Sequence, residues 1–252
     1  LMNNDSLIKY ILGIADNSLI LGQRLGELTG HGPTLEVDIA MTNISLDLFG
    51  QVRSYFQYAA QLSEEDKTED DFAFLRTERE YVNVLLVEQP NRDFGYTIAR
   101  QFLFDHFHFL LLNEMQNSKD ETLVAIAKKS LKEVSYHRRF SSDWVKRLGD
   151  GTEESKRKIQ LAINDLWRFT EELFQKTDAD LEAIKAGIGV GTDTIKTKYL
   201  ENISAVLEEA TLQKPELEFF QEGGKKGIHS EHMGYLLSDM QYMQRTYPGM
   251  KW

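Results

Sequence analysis

Cysteine is absent from all 252 residues, which removes disulfides, thiolate metal sites and cysteine nucleophiles. Any metal would have to be held by histidine and carboxylate. Proline is scarce, at four, so little interrupts long helices. No apolar run reaches the roughly 18–20 residues that a membrane-spanning helix needs; the richest stretch, 102–112, is broken by Asp105, His106 and His108. Period-two alternation bounded by turn residues is missing too, which argues against sheets. Positive charge is in deficit: 29 Lys and Arg against 40 Asp and Glu give a formal charge of −11. Such a surface repels phosphate backbones and disfavours nucleic acid as a main partner. There is no Gly-x-Ser-x-Gly elbow for a serine nucleophile. The start lacks the pattern of a secretory leader, so a cytoplasmic protein with neither membrane nor nucleic-acid partner is expected.

What is present is helical periodicity. Hydrophobic content of 41% is enough for a core. Apolar residues at three- and four-residue steps predict long helices over about 5–28, 35–62, 94–115 and 120–148. A shorter piece is expected over 72–87, then a helix from Thr152 carrying residues to Phe174, one over 192–212 and one over 231–245. The breakers are Gly30-His31-Gly32-Pro33, Gln89-Pro90-Asn91, Gly149-Asp150-Gly151 and the glycine-rich 187–191. Asp93 reads as an N-cap. Four helices of roughly 24–29 residues, about 36–44 Å long, joined by turns, predict an all-α chain built on an antiparallel four-helix bundle. One domain over 1–252 is expected, its core bundle at about 4–149 and flanking helices at about 152–246.

The interior of that bundle is where chemistry is expected. Gln51 on the second helix, Asp105 on the third long helix and His137 on the fourth each interrupt an apolar stripe, so they point inward and meet at one level. Gln23 shares the inward stripe of the first helix with Asp16. A bundle holding two metal ions presents four carboxylates and two histidines, with Glu-x-x-His on two helices. No Glu-x-x-His occurs here: the expected pairs read Leu48 with Gln51, and Val134 with His137. One acid and one histidine make a buried hydrogen-bonded pair but hold no pair of irons. The site reads as dismantled, with no catalytic residue and no metal.

Two clusters lie outside the bundle interior. Gly223-Gly224-Lys225-Lys226-Gly227 precedes His229 and His232. It suits either an anion or a loop that docks against the bundle. Arg76, Arg79 and Tyr81 suit either a phosphate or base contact or a solvated charged helix.

Several segments, taken together, carry a family resemblance. They are Gly22-Gln23-Arg24-Leu25-Gly26-Glu27, residues 43–51 (NISLDLFGQ), Leu85-Leu86-Val87-Glu88-Gln89-Pro90-Asn91, residues 223–232 (GGKKGIHSEH), Leu166-Trp167-Arg168-Phe169-Thr170 and Met240-Gln241-Tyr242. In order and along essentially the whole chain, they resemble the C subunits of bacterial ring-1,2-phenylacetyl-CoA epoxidases. The resemblance implies a ferritin-like fold. It implies a non-catalytic subunit that pairs with a related one, in which a di-iron centre epoxidises the aromatic ring of phenylacetyl-CoA. It implies further that electrons come from NADPH through a separate reductase. It also implies that this chain lines the edge of the coenzyme A site, at Glu80, Tyr81, Val82 and Asn83 and at Leu181, Glu182 and Ala183. Some of the 14 Phe, 10 Tyr and 3 Trp are expected at the subunit interface. Two alternatives stand beside this reading. One is an independent metal-dependent oxidoreductase using Asp105, His108 and His137, or His229 and His232. The other is a ferritin-like scaffold for an unrelated partner.

Overall fold

The computed structural model describes residues 2–250. Among the described residues there is no strand, and no helix is long and apolar enough to cross a membrane. The described residues are all-α, as the sequence predicts. The helices are α1 (Asn4–Glu27), α2 (Leu35–Leu62), α3 (Leu85–Glu88), α4 (Phe94–Met115), α5 (Glu121–Gly149), α6 (Glu153–Leu166), α7 (Asp178–Ala186), α8 (Thr192–Glu209) and α9 (Glu231–Thr246). They form two compact units. One contains the residues up to Glu88 and returns from Gly223 onward; the other is Gln89–Glu222.

The first unit is built on the hairpin of α1 and α2. Asn3 caps α1 by accepting from Ser6 N, and Thr34 caps α2 by accepting from Val37 N. The hairpin is antiparallel: Asn4 Nδ2 donates to Leu62 O at one end, Ser45 Oγ to Gly22 O in the middle, and Thr29 meets Thr42 near the turn. Residues 71–88 then depart from the single helix that the sequence predicts. They form a π turn (Asp71–Leu75), a 3-10 turn (Glu78–Glu80), an extended run and the short α3. The cause is tertiary. Val82 N donates to Asp16 Oδ2 and Val84 N to Asn17 Oδ1, so side chains of α1 take the donors that a helix would satisfy internally. The returning segment lays α9 over this region, with Met233, Leu236, Leu237 and Gln241 inward.

The second unit is built on α4 and α5, capped by Asp93 and Asp120, which accept from Tyr96 N and Leu123 N. Phe94 packs edge-on to Trp144, while Asp105 faces Ser141 and His106 faces Ser142, so this pair is antiparallel as well. Helices α6 and α8 cover α4, and Tyr199 OH donates to Leu103 O. Gly149 ends α5 where a Cβ would lie 2.2 Å from Ala210 O. The predicted helix through Phe174 stops at Leu166 and continues as two 3-10 turns. The short α7 is an element that periodicity did not separate from its neighbours; Gly187, at φ +74°, closes it.

Candidate functional site

Polar residues on the inner stripes of α4 and α5 converge. Asp105 is fully buried, and its two oxygens are taken: Gln101 Nε2 donates to Oδ1 at 2.6 Å and Ser141 Oγ to Oδ2 at 2.8 Å. Burial pushes its carboxyl up to about 6, against the opposing pull of nearby His137 and of the two hydrogen bonds. His108 lies one turn further along α4. Burial drives it down to about 3, with His137 adding to the effect, and neither ring nitrogen meets a hydrogen-bond partner among the described residues. His106 sets Nε2 against Ser142 Oγ at 2.9 Å, and burial with the charges of Arg138 and Lys146 takes it to about 3. Both histidines are therefore neutral core residues near pH 7.

Leu48 in the first unit and Val134 in the second, both hydrocarbon side chains, have no exposed surface. Gln51 is buried in the first unit, and Gln23 there is half-buried. Among the described residues, no three histidine, aspartate or glutamate side chains gather as metal ligands.

The first unit holds two more buried networks that stripe reading did not foresee. Arg76, expected on a phosphate or in solvent, is in neither place. Its Nη1 donates to Asp16 Oδ2 at 2.9 Å, its Nη2 to Asp16 Oδ1, and its guanidinium lies 4.1 Å from the centre of the Tyr81 ring. Asp16 is fully buried. Removing one member of such a pair costs about 3–5 kcal/mol, because the other charge is left buried. In the second network Glu88, also fully buried, accepts from Asn83 Nδ2 (3.0 Å) and Ser230 N (2.6 Å), and His229 Nδ1 stands 2.8 Å away. His229 Nε2 faces Tyr81 O at 2.9 Å. With an acceptor at each nitrogen, the doubly protonated ring is favoured. Burial lowers its basicity, but Glu88 and the Tyr81 carbonyl outweigh that, and the ring is raised above its ordinary value. The glycine-rich loop thus packs against the chain's own backbone. A Cβ on Gly224 would lie 2.1 Å from Asn83 O, and one on Gly227 2.2 Å from Arg79 O. The sequence signals available for these networks were an acid on the apolar face of α1 and another closing the run Leu85-Leu86-Val87-Glu88.

The positions implied for the coenzyme A edge divide by exposure. Tyr81 and Asn83 are fully buried. Tyr81 OH donates to Ala73 O and also meets Gln241 Nε2, and burial pushes its phenol up to about 12. Glu80 and Val82 reach the surface, with Glu80 Oε2 accepting from Thr77 N and Oγ1. In the second unit, Leu181 and Glu182 are exposed on α7 and Ala183 is buried.

Against known proteins, residues 2–252 match the family described as phenylacetic acid catabolic protein. The chain is 48% identical over 248 residues to the C subunit of 1,2-phenylacetyl-CoA epoxidase from Escherichia coli strain K12, a match covering 98% of this chain and 100% of that protein.

Proposed function

The chain belongs to the phenylacetic acid catabolic protein family, and we propose that within it the chain is the non-catalytic subunit of a phenylacetyl-CoA epoxidase, pairing with and stabilising a related subunit that holds the di-iron centre. The observation that carries this reading is the poverty of the inward donor set. A pair of iron ions asks for several free carboxylates. Here the one inward acid of α4 and α5, Asp105, spends both oxygens on Gln101 and Ser141, and Leu48 and Val134 offer no donor. These residues do not fit a di-iron centre. NADPH likewise enters through a separate reductase.

What this chain supplies is shape. A catalytic bundle must hold its ligands rigidly and keep bulk water out, and a second bundle packed against it serves both ends. Hydrogen bonds with Arg76, His229, Asp16 and Asn17 fix the backbone at Glu80, Tyr81, Val82 and Val84. In the first unit, Tyr81 and Asn83 then act as positioning residues for coenzyme A, with Glu80 and Val82 within a ligand's reach; in the second unit, taken by itself, Leu181 and Glu182 are exposed. Metal analysis and turnover assays on each purified component test the reading. Without its partner this chain is expected to carry no stoichiometric iron and to turn nothing over, and to form a stable complex with the catalytic subunit. Two irons per chain with oxygen-dependent turnover by this chain alone overturn it.

A further inference from the structure

Several of the ties that close the first unit are indifferent to pH near neutrality. Gln241 Nε2 and Arg245 Nη2 donate to Arg76 O, Arg24 Nη2 donates to His232 O, and Arg79 Nη1 donates to Gly227 O. Amide and guanidinium groups neither gain nor lose a proton in that range. His229 behaves differently. Its ring and the Glu88 side chain have no exposed surface. The ring bridges two acceptors, with Nδ1 2.8 Å from Glu88 Oε2 and Nε2 2.9 Å from Tyr81 O. Beside it, Ser230 N donates to the other Glu88 oxygen at 2.6 Å.

A carbonyl and a carboxylate only accept, so both ring nitrogens must donate for both contacts to hold. That requires the imidazolium, which has no lone pair to offer a metal. The neutral ring carries one N–H. Whichever nitrogen keeps it, the other turns a lone pair toward an oxygen, out of reach of water. Losing the proton also leaves the Glu88 carboxylate buried without its counter-charge. Neighbouring charges do not replace it. Glu78, in the turn before Tyr81, reinforces the imidazolium. Arg24 of α1 is engaged by Glu27 and by the carbonyls of Glu88 and His232, and Arg79 by that of Gly227. Lys225, Lys226, Glu231 and His232 belong to the ring's own segment.

We propose that His229 is a proton-dependent clasp: doubly protonated, it holds residues 228–231 against Glu88 and the Tyr81 carbonyl, and on losing a proton it lets that segment lift and water reach Glu88. The sign is set by the neighbours, which raise the ring above its ordinary 6.5. The clasp is complete below about pH 6.5 and is released as pH rises through the raised value. Release is local. Helix α9 stays down through Met233, Leu236, Leu237 and Gln241, and Val82 N and Val84 N stay on Asp16 and Asn17. The device stands apart from the functional reading above and does not depend on it.

The test uses the full chain. Hydrogen-exchange protection of single amides, corrected for the intrinsic effect of pH, is measured from about pH 6 to about pH 9 while the His229 ring is followed by NMR. Protection of the Ser230 amide is expected to fall at least about tenfold, with its midpoint at the ring's own titration, while Val82 and Val84 hold within about twofold. His229→Gln, which cannot carry the charge, is expected to show weak Ser230 protection at every pH. Ser230 protection that stays flat while the ring titrates overturns the clasp, and so does a ring that keeps its proton throughout. A parallel fall at Val82 and Val84 overturns it too, because the whole unit is then loosening. A pH step that survives in His229→Gln assigns the effect to another group. If that variant does not fold, the two wild-type readings decide alone.

Discussion

Asp105 is an acid held where ionisation is costly, and its pH behaviour has a definite sign. Its carboxyl sits at about 6 in the fold against an ordinary 3.8. The folded state therefore keeps the proton longer than the unfolded one. Stability from this group is complete below about pH 4 and is lost as pH rises through about 6. His106 and His108, both lowered to about 3, act the other way, withdrawing stability as pH falls below their ordinary 6.5. Comparing wild type with Asp105→Asn isolates the acid, because the histidine contribution is common to both. From about pH 4 to about pH 7 the urea-unfolding difference is expected to move toward the variant by on the order of 1–3 kcal/mol; a difference that stays flat would show that Asp105 titrates normally. Asp105 and His137 were legible in the sequence because each interrupts an apolar stripe. Arg76 was not, because its partner Asp16 lies 60 residues away. The charges beside Arg76 in sequence look like any solvated helix, and helical periodicity carries no information about pairing at that distance.

At the scale of elements, α2 and α4 run where the sequence places them, because capping residues and unbroken apolar steps agree there. Residues 71–88 do not. Their composition favours helix, yet Asp16, Asn17 and His229 bind their backbone in an extended form. Glycines mark the same difference between local and tertiary control. Gly227 has φ +69° and its missing Cβ faces Arg79 O, so Gly227→Ala is expected to lower stability by about 1–3 kcal/mol. Gly13, inside α1, has open space where a Cβ would go, and Gly13→Ala is expected to raise stability by about 0.5–1 kcal/mol. Thermal and urea melts of the two variants check both signs; destabilisation by Gly13→Ala would reveal a contact at α1 that the fold does not show.

For the whole molecule, the decisive feature is that the unit holding α1 and α2 is discontinuous, completed only by the segment from Gly223 onward. A chain ending at Glu222 is expected to lose protection in residues 4–88 first, since Glu88 would lie buried without His229 and Ser230 N, at a cost of about 3–5 kcal/mol. Limited proteolysis read by mass spectrometry checks this, and cleavage starting instead within 89–222 would contradict it. The division into two units was not legible from the sequence, because the loop near Gly223 carries no apolar periodicity to announce what it joins. The arrangement also bears on biosynthesis. Glu88 leaves the ribosome 141 residues before His229, a wait of roughly 7–28 s at about 5–20 residues per second. During that interval the Glu88 carboxylate is without His229 and Ser230, its partners in the completed fold. A product that stops before His229 never acquires that pairing, so the first unit's buried acid stays uncompensated in every such truncated chain.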